Sequence, residues 1–314
     1  MTVTLRQLRY LEALARHLHF GRAAEECAVS QPALSQQVQD MEALLGVKLV
    51  ERGPRRVALT PRGEEVARRA AAILGSVRDL VDYARHHGAL LAGPLRLGVI
   101  PSVAPYLLPR ALPLVEARFP ALELHLRETL TETLEDELSQ GLLDAILIAL
   151  PVHGPGFEAL PLFVDRFLLA ARAGSAETEE PFARPERIPP ERLLLLEEGH
   201  CLRDQTLAYC RIARPETNGF GAASLSTIMQ MVAGGYGVTL LPELSLAVEA
   251  RDPRIALRRF AEPEPSREIA LVWRRSSPRR ADFDALGGLL REAAERPAHF
   301  APPSTLSSDS VPPP

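Results

Sequence analysis

Cys201 and Cys210 stand nine positions apart in the second half of the chain, and the first is set in Gly199-His200-Cys201-Leu202-Arg203-Asp204-Gln205. A thiol acts on peroxides as its thiolate, which forms where positive charge or the amide dipoles of a helix start lie close. The residues after His200 read as a helix that ends near Cys210-Arg211. Cys201 therefore stands at a helix N-terminus beside His200 and Arg203, and is the candidate nucleophile. With a helix between them, the two cysteines are about 13.5 Å apart along its axis and on opposite faces. A disulfide needs Cα atoms about 4.4 to 6.8 Å apart. Joining the thiols requires part of 202–209 to unwind, and such a misfit is itself a switch. The plainer alternative is two small, semi-buried side chains without chemistry.

The remaining composition narrows the classes. Three cysteines are too few for a disulfide scaffold, and neither this pair nor Cys27 has the spacing of a zinc site, so no metal or cofactor is expected. Cys27, beside Ala28, reads as a small packing residue. The segment Met1 to Arg6 lacks the apolar block of a signal peptide, and no apolar run approaches the roughly 18 residues of a membrane span. A cytoplasmic protein without a membrane partner is the expectation. The net charge of −4 is unevenly spread: residues 1–92 carry 13 Lys/Arg against 10 Asp/Glu, a net +3, and the remainder carries −7. That asymmetry permits nucleic-acid binding by the first part without requiring it.

The elements that would position such a switch follow from periodicity. Leu5, Leu8, Leu11, Leu14, Ala15 and Leu18 share one face of a first helix, and Gly21 to Ala28 forms a short second one. Ser30 is an N-cap and Pro32 fits the first turn of a third helix, in which Leu34, Val38, Met41 and Leu45 form the buried stripe. Pro32, Ser35, Gln36 and Gln39 fall on the opposite face, which is polar and uncharged and suits base edges in a major groove. Residues 51–60 read as a hairpin with arginines at its tip. An ordinary three-helix bundle with a charged loop fits the same pattern.

Val66, Ala70, Ile73, Val77, Leu80, Ala84 and Leu91 keep a heptad alternation broken at His87, the mark of a helix-pairing seam or of a helix packed on its own chain. Beyond Pro94, strands at 95–100, 122–126 and 144–150 alternate with helices at 105–119 and 131–140. A second block begins near Phe163, and a late strand at 269–273 returns to the first block. The fold class is α/β.

The string from Phe20 to Ala24, then Val29 to Ser35, Leu44 to Arg52 and Leu59 to Gly63, resembles the LysR-type transcriptional regulators. The resemblance implies a winged helix-turn-helix at 1–60, a linker and dimerisation helix at 61–92, and a two-lobed α/β effector domain similar to periplasmic binding proteins at 93–296. It makes Gln31, Pro32, Ser35 and Gln36 the candidate base-contacting or groove-positioning residues and Arg52, Arg55 and Arg56 the phosphate contacts of the wing. The tail at 297–314, rich in proline and serine from Ala301 on with little to bury, reads as disordered from its composition. Residues 199–205 with Cys210, together with Ile100 to Pro109, resemble the peroxide-sensing branch of that family. That branch implies that peroxide oxidises Cys201 to a sulfenic acid, that Cys210 condenses with it, and that thiol reductants reverse the bond. Thr131, His200, Asp204 and Arg267 match its pocket positions, Arg203 adds charge, and Ser102 stands where a threonine is usual. The partners implied are double-stranded promoter DNA, hydrogen peroxide as signal, a second copy through the linker helix in a homodimer and homotetramer, and RNA polymerase. Two alternatives stay open: a regulator that binds a small metabolite between its lobes, and a thiol peroxidase that carries a DNA-binding domain.

Overall fold

Thr4 starts the first helix, α1 (Leu5–His17): its hydroxyl accepts from the Gln7 N–H while the Gln7 side chain accepts from the Thr4 N–H. The computed structural model describes residues 2–52, 57–85, 89–153, 156–180, 182–212 and 221–295. In α2 (Phe20–Glu26) the His19 ring caps the Gly21 and Arg22 amides, and in α3 (Gln31–Leu45) Ser30 Oγ caps Ala33 at 3.4 Å. Leu8, Leu11, Leu14, Ala23, Ala24, Leu34, Val38 and Met41 close one helical core, with Cys27 half-buried against it. Leu45, expected in the buried stripe of α3, is 39% exposed. The inward position belongs to Glu42, whose carboxylate accepts from the Leu49 and Val50 amides at 2.8 and 3.1 Å and pairs with Lys48 at 2.9 Å. Burial raises the Glu42 pKa, but the bonds from Lys48, Leu49 and Val50 outweigh it and leave it below the ordinary value. The carboxylate thus satisfies the amides where the chain leaves α3 for the wing, β1 (Val50–Arg52) paired antiparallel with β2 (Val57–Leu59).

From the wing the chain enters α4 (Pro61–Arg85), whose Ala67, Ala70 and Leu74 pack on the helical core. Ala70 therefore leaves the expected pairing seam, because its face is taken by α1. Leu91 leaves it too: it lies beyond α4, 1% exposed in the effector core, with its amide donating to Asp282. Ile73, Leu80 and Ala84 remain exposed and Val77 half-buried, a stripe that keeps the four-three-four spacing.

The effector part runs β3 (Gly93–Val99), α5 (Ala104–Arg118), β4 (Leu122–Glu128), α6 (Thr131–Ser139), β5 (Ala145–Ala149) and the long β6 (Phe157–Arg172). It continues with β7 (Leu195–Leu196), α7 (Cys201–Tyr209), β8 (Gly221–Ala222), α8 (Leu225–Gly234), β9 (Thr239–Pro242), α9 (Leu246–Glu249), β10 (Ile255–Arg259), β11 (Ser266–Arg274) and α10 (Arg280–Glu295). The main sheet has the order β10-β6-β11-β5-β3-β4, with β9 also on β6. β3 runs parallel to β4 and β5, and every residue of β5 is buried, as a strand covered on both faces must be. The late strand β11 returns as expected, antiparallel to β5 with Ile269 opposite Ala149. Two apolar cores result: one around β3, β5, β11 and α10, and one around the second half of β6, α8 and β9. The strand β6 serves both, since Phe157 to Arg166 pairs with β11 and Phe167 to Arg172 with β9 and β10. No helix among the described residues is long and apolar enough to cross a membrane.

Candidate functional site

Gly199 has φ +91°, and a Cβ there would lie 2.8 Å from Leu130 Cδ1, so a side chain would be both strained and crowded. This close approach brings the start of α7 against the start of α6. Cys201 is the first residue of α7, with His200 at the N-cap and no side-chain cap among the described residues. A narrow pocket forms there from Ser102, Leu130, Thr131, His200, Cys201 and Leu202. Ile100 also lines it, so polar groups are few and each counts. Thr131 Oγ1 is buried and has no hydrogen-bond partner among the described residues. An orphan hydroxyl of this kind is stabilised by a small polar ligand.

Cys201 packs against the first-lobe core, whereas Cys210, at the C-cap of the same helix, packs against the second-lobe core. Both are free thiols. Burial, with the negative charge of Glu186, pushes the Cys210 pKa up to about 11. Desolvation lowers the His200 pKa against the opposing pull of Glu197, which favours the neutral imidazole. Desolvation thus works against the imidazolium form of His200 beside Cys201, where the sequence suggested positive charge.

The other expected pocket residues are distributed by helix geometry. Arg203 lies two positions after Cys201, where side chains do not share a face, and its Nη1 donates to the Leu196 carbonyl at 2.9 Å. Asp204 and Gln205 lie three and four positions on, share the Cys201 face, and line a wide cleft between α7, α6, α1 and α4. Cys201 borders this cleft as well as the narrow pocket, so the thiol has an open approach. Arg267 is buried behind Ser102: Nη1 donates to Ser102 Oγ at 2.7 Å and Nη2 to the Ser102 carbonyl at 3.1 Å. Asp165 completes that group, with Oδ2 accepting from Arg267 Nε and Nη2 at 3.0 and 2.9 Å. Sequence reading missed Asp165 and gave Gln205 no role.

A second missed group lies between the linker helix and the effector part. Arg274 Nη2 meets Asp79 Oδ1 at 2.7 Å, and its Nη1 donates to the carbonyls of Leu138 and Leu143 at 2.8 and 2.6 Å. Arg78 donates to the Gln140 carbonyl. The helix α6 thus begins at the narrow pocket and ends at α4.

On α3, Gln31, Pro32 and Gln36 are exposed and Ser35 is half-buried, so the four share an accessible face. Gln36 Nε2 donates to Asp40 at 2.8 Å. Arg52 closes β1, while Arg55 and Arg56 lie outside the described residues, as do 297–314.

A LysR-family bacterial regulatory helix-turn-helix model matches residues 5–64, and a LysR substrate binding domain model matches residues 88–295. The chain belongs to the LysR-type family of transcriptional regulators. Within it, the chain is 46% identical over 302 residues to a probable hydrogen peroxide-inducible genes activator of Streptomyces viridosporus, covering 92% of this chain and 94% of that protein. It is 40% identical over 304 residues to the DNA-binding transcriptional dual regulator OxyR of Escherichia coli K12, covering 95% and 97%. The solved structure of a Corynebacterium glutamicum OxyR cysteine-to-serine mutant with hydrogen peroxide bound superposes with a TM-score of 0.62 at 35% identity, covering 93% of this chain and 94% of that one.

Proposed function

We propose that this protein is a cytoplasmic, hydrogen peroxide-responsive transcriptional regulator of oxidative-stress genes, in which Cys201 is the thiol that peroxide oxidises and Cys210 the thiol that closes the disulfide. One observation carries the reading. Cys201 opens a nine-residue helix beside an orphan hydroxyl, Thr131 Oγ1, while Cys210 ends that helix in the core of the other lobe. Attack by the Cys201 thiolate on peroxide forms the S–O bond of a sulfenic acid, breaks O–O, and releases water once the departing oxygen has taken the thiol's proton. The Cys210 thiol then displaces water from that sulfenic acid to give the disulfide. Burial, which raises the Cys210 pKa to about 11, supports a role for Cys210 as the second thiol to act.

The signal reaches DNA through elements that touch: α7 and α6 share the pocket, and the end of α6 is bonded to α4 through Arg274 and Arg78. The exposed stripe of Ile73, Val77, Leu80 and Ala84 pairs α4 with a second copy, which places two α3 helices on two half-sites of double-stranded DNA. Gln31, Pro32, Ser35 and Gln36 meet base edges, and Arg52, Arg55 and Arg56 meet phosphates. Two dimers form the tetramer, RNA polymerase is its target, and cellular thiol reductants reset it. Arg267 and Asp165, each side chain 1% exposed, bond to each other and to Ser102 where the lobes meet, which supports the redox reading over a metabolite bound at that point.

The experiment is thiol mapping of the reduced protein after micromolar hydrogen peroxide, with a promoter footprint on the same samples. Two thiols are expected to convert to one Cys201–Cys210 disulfide as the footprint shifts. A Cys201→Ser protein that still responds to peroxide sinks the reading. Sustained peroxide consumption with a thiol reductant, far above one event per regulatory cycle, replaces it with a peroxidase.

A further inference from the structure

Asp165 sits on β6 directly opposite Arg267 on β11. Its Oδ2 accepts the guanidinium fork, and its Oδ1 accepts from the Leu244 amide at 2.9 Å. Leu244 packs against both cores, so the carboxylate is pinned at the junction of the lobes. A guanidinium this deeply buried requires such a partner. With that edge held, the Nη atoms of Arg267 reach only as far as Ser102, clamping its hydroxyl oxygen and its carbonyl together. The Phe167 ring lies 5.7 Å from the guanidinium carbon and limits its tilt. Asp165 itself does not line the pocket that holds Cys201.

The clamp has a chemical consequence. A hydroxyl oxygen that accepts from a guanidinium keeps its own hydrogen to donate, and the charge-assisted bond polarises that O–H. Ser102 lines the narrow pocket with Cys201, so this donor is held where peroxide meets the thiol. When the Cys201 sulfur attacks one peroxide oxygen, sulfur loses two electrons, the O–O bond breaks, and the other oxygen leaves with the electron pair before the thiol's proton makes it water. A fixed, polarised donor stabilises that developing charge.

We propose that Asp165 is a positioning residue for peroxide reduction: it holds Arg267 so that Arg267 fixes and polarises the Ser102 hydroxyl toward the leaving oxygen. The proposal rests on Cys201 being the peroxide-reactive thiol. Loss of a direct preorganised donor slows catalysis about 100- to 1,000-fold, and loss of a residue acting through two others is set at about tenfold or more on that scale.

The test uses the full-length reduced protein and its Asp165→Asn and Asp165→Glu variants. Two second-order rates are measured at Cys201 in parallel: sulfenic acid formation with hydrogen peroxide, and alkylation by iodoacetamide. Alkylation needs the same thiolate and the same access but expels iodide, so an oxygen-directed donor does not assist it. Asp165→Asn is expected to lower the peroxide rate at least about tenfold while alkylation changes less than about twofold. Asp165→Glu keeps the charge but moves the fork, and should lower the ratio of the two rates about threefold or more. Equal losses in both rates reduce Asp165 to a structural residue and overturn the proposal, as does an unchanged ratio. If Asp165→Asn does not fold, the Asp165→Glu ratio decides, and a wild-type value there overturns it. A wild-type protein whose Cys201 peroxide never oxidises refutes the functional reading instead, which separates the two failures.

Discussion

Leu202 offers a direct measure of how far α7 must unwind. It is 3% exposed, packed in the second-lobe core one residue after Cys201, and its carbonyl accepts from the buried Thr206 hydroxyl at 2.7 Å. Cys201 and Cys210 cannot meet across an intact helix that separates them by about 13.5 Å along its axis, so disulfide formation pulls Leu202 out of its site. Leu202→Ala then destabilises the reduced form alone, by about 3 kcal/mol within the usual range for a buried leucine. Destabilising the reduced form favours the disulfide, and at about 30 mV per 1.4 kcal/mol the potential falls by about 60 mV. The assay is equilibration in thiol buffers of defined potential with quantification of the Cys201–Cys210 bond. Leu240→Ala, in the same core but on β9 at 1% exposure, serves as control: it lowers stability in both redox forms and leaves the potential in place. A Leu202→Ala protein that is less stable when reduced, yet keeps its potential within about 10 mV, shows Leu202 still packed in the disulfide form. That result refutes the unwinding argument.

Three further outcomes follow from other parts of the molecule. Between pH 9.0, the ordinary value for a thiol, and the Cys210 value of about 11, the unfolded chain has released a proton that the folded chain retains. Stability that is full below the lower value is therefore lost as pH rises, and Cys210→Ser should remove that alkaline slope in urea unfolding. Asp79→Asn leaves the buried Arg274 charge without its partner and should cost about 3 to 5 kcal/mol, recovered in the Asp79→Asn/Arg274→Met double variant. That double variant is expected to form the disulfide normally while its footprint no longer responds to peroxide, read by thiol mapping and footprinting together. Leu80→Asp, at a position 65% exposed, should leave folding within about 0.5 kcal/mol and, if α4 pairs with a second copy as proposed, give monomers in sedimentation and weaker operator binding.

What could be read before the structure, and what could not, divides along a physical line. Periodicity reports which face of an element is apolar, and it located α1 to α4, the central strands and the return of β11, because those segments are buried by their own pattern. It does not report which neighbour covers that face. Ala70 fits a heptad perfectly well and is nevertheless covered by α1, while Leu91 continues the heptad in number but lies past the helix, in another core. Local chemistry was equally legible at Cys201, where glycine, histidine and a helix start are adjacent in sequence. The groups that control it are not. Asp165 follows the 59%-exposed Val164 in a strand whose alternation is irregular, and only the pairing of β6 with β11 brings a guanidinium from 102 positions away onto it. Asp79 and Arg274 meet across 195 positions in the same manner. Single charged residues in apolar strands or on linker helices look like solvated positions when read alone, and become buried pairs only when a distant partner of opposite sign arrives at the same depth. The thiol proposed as reactive is therefore encoded locally, whereas the groups proposed to tune it and to carry its state to α4 are encoded in long-range pairing, so Asp165 and Asp79 are where substitution should alter response while leaving both cysteines intact.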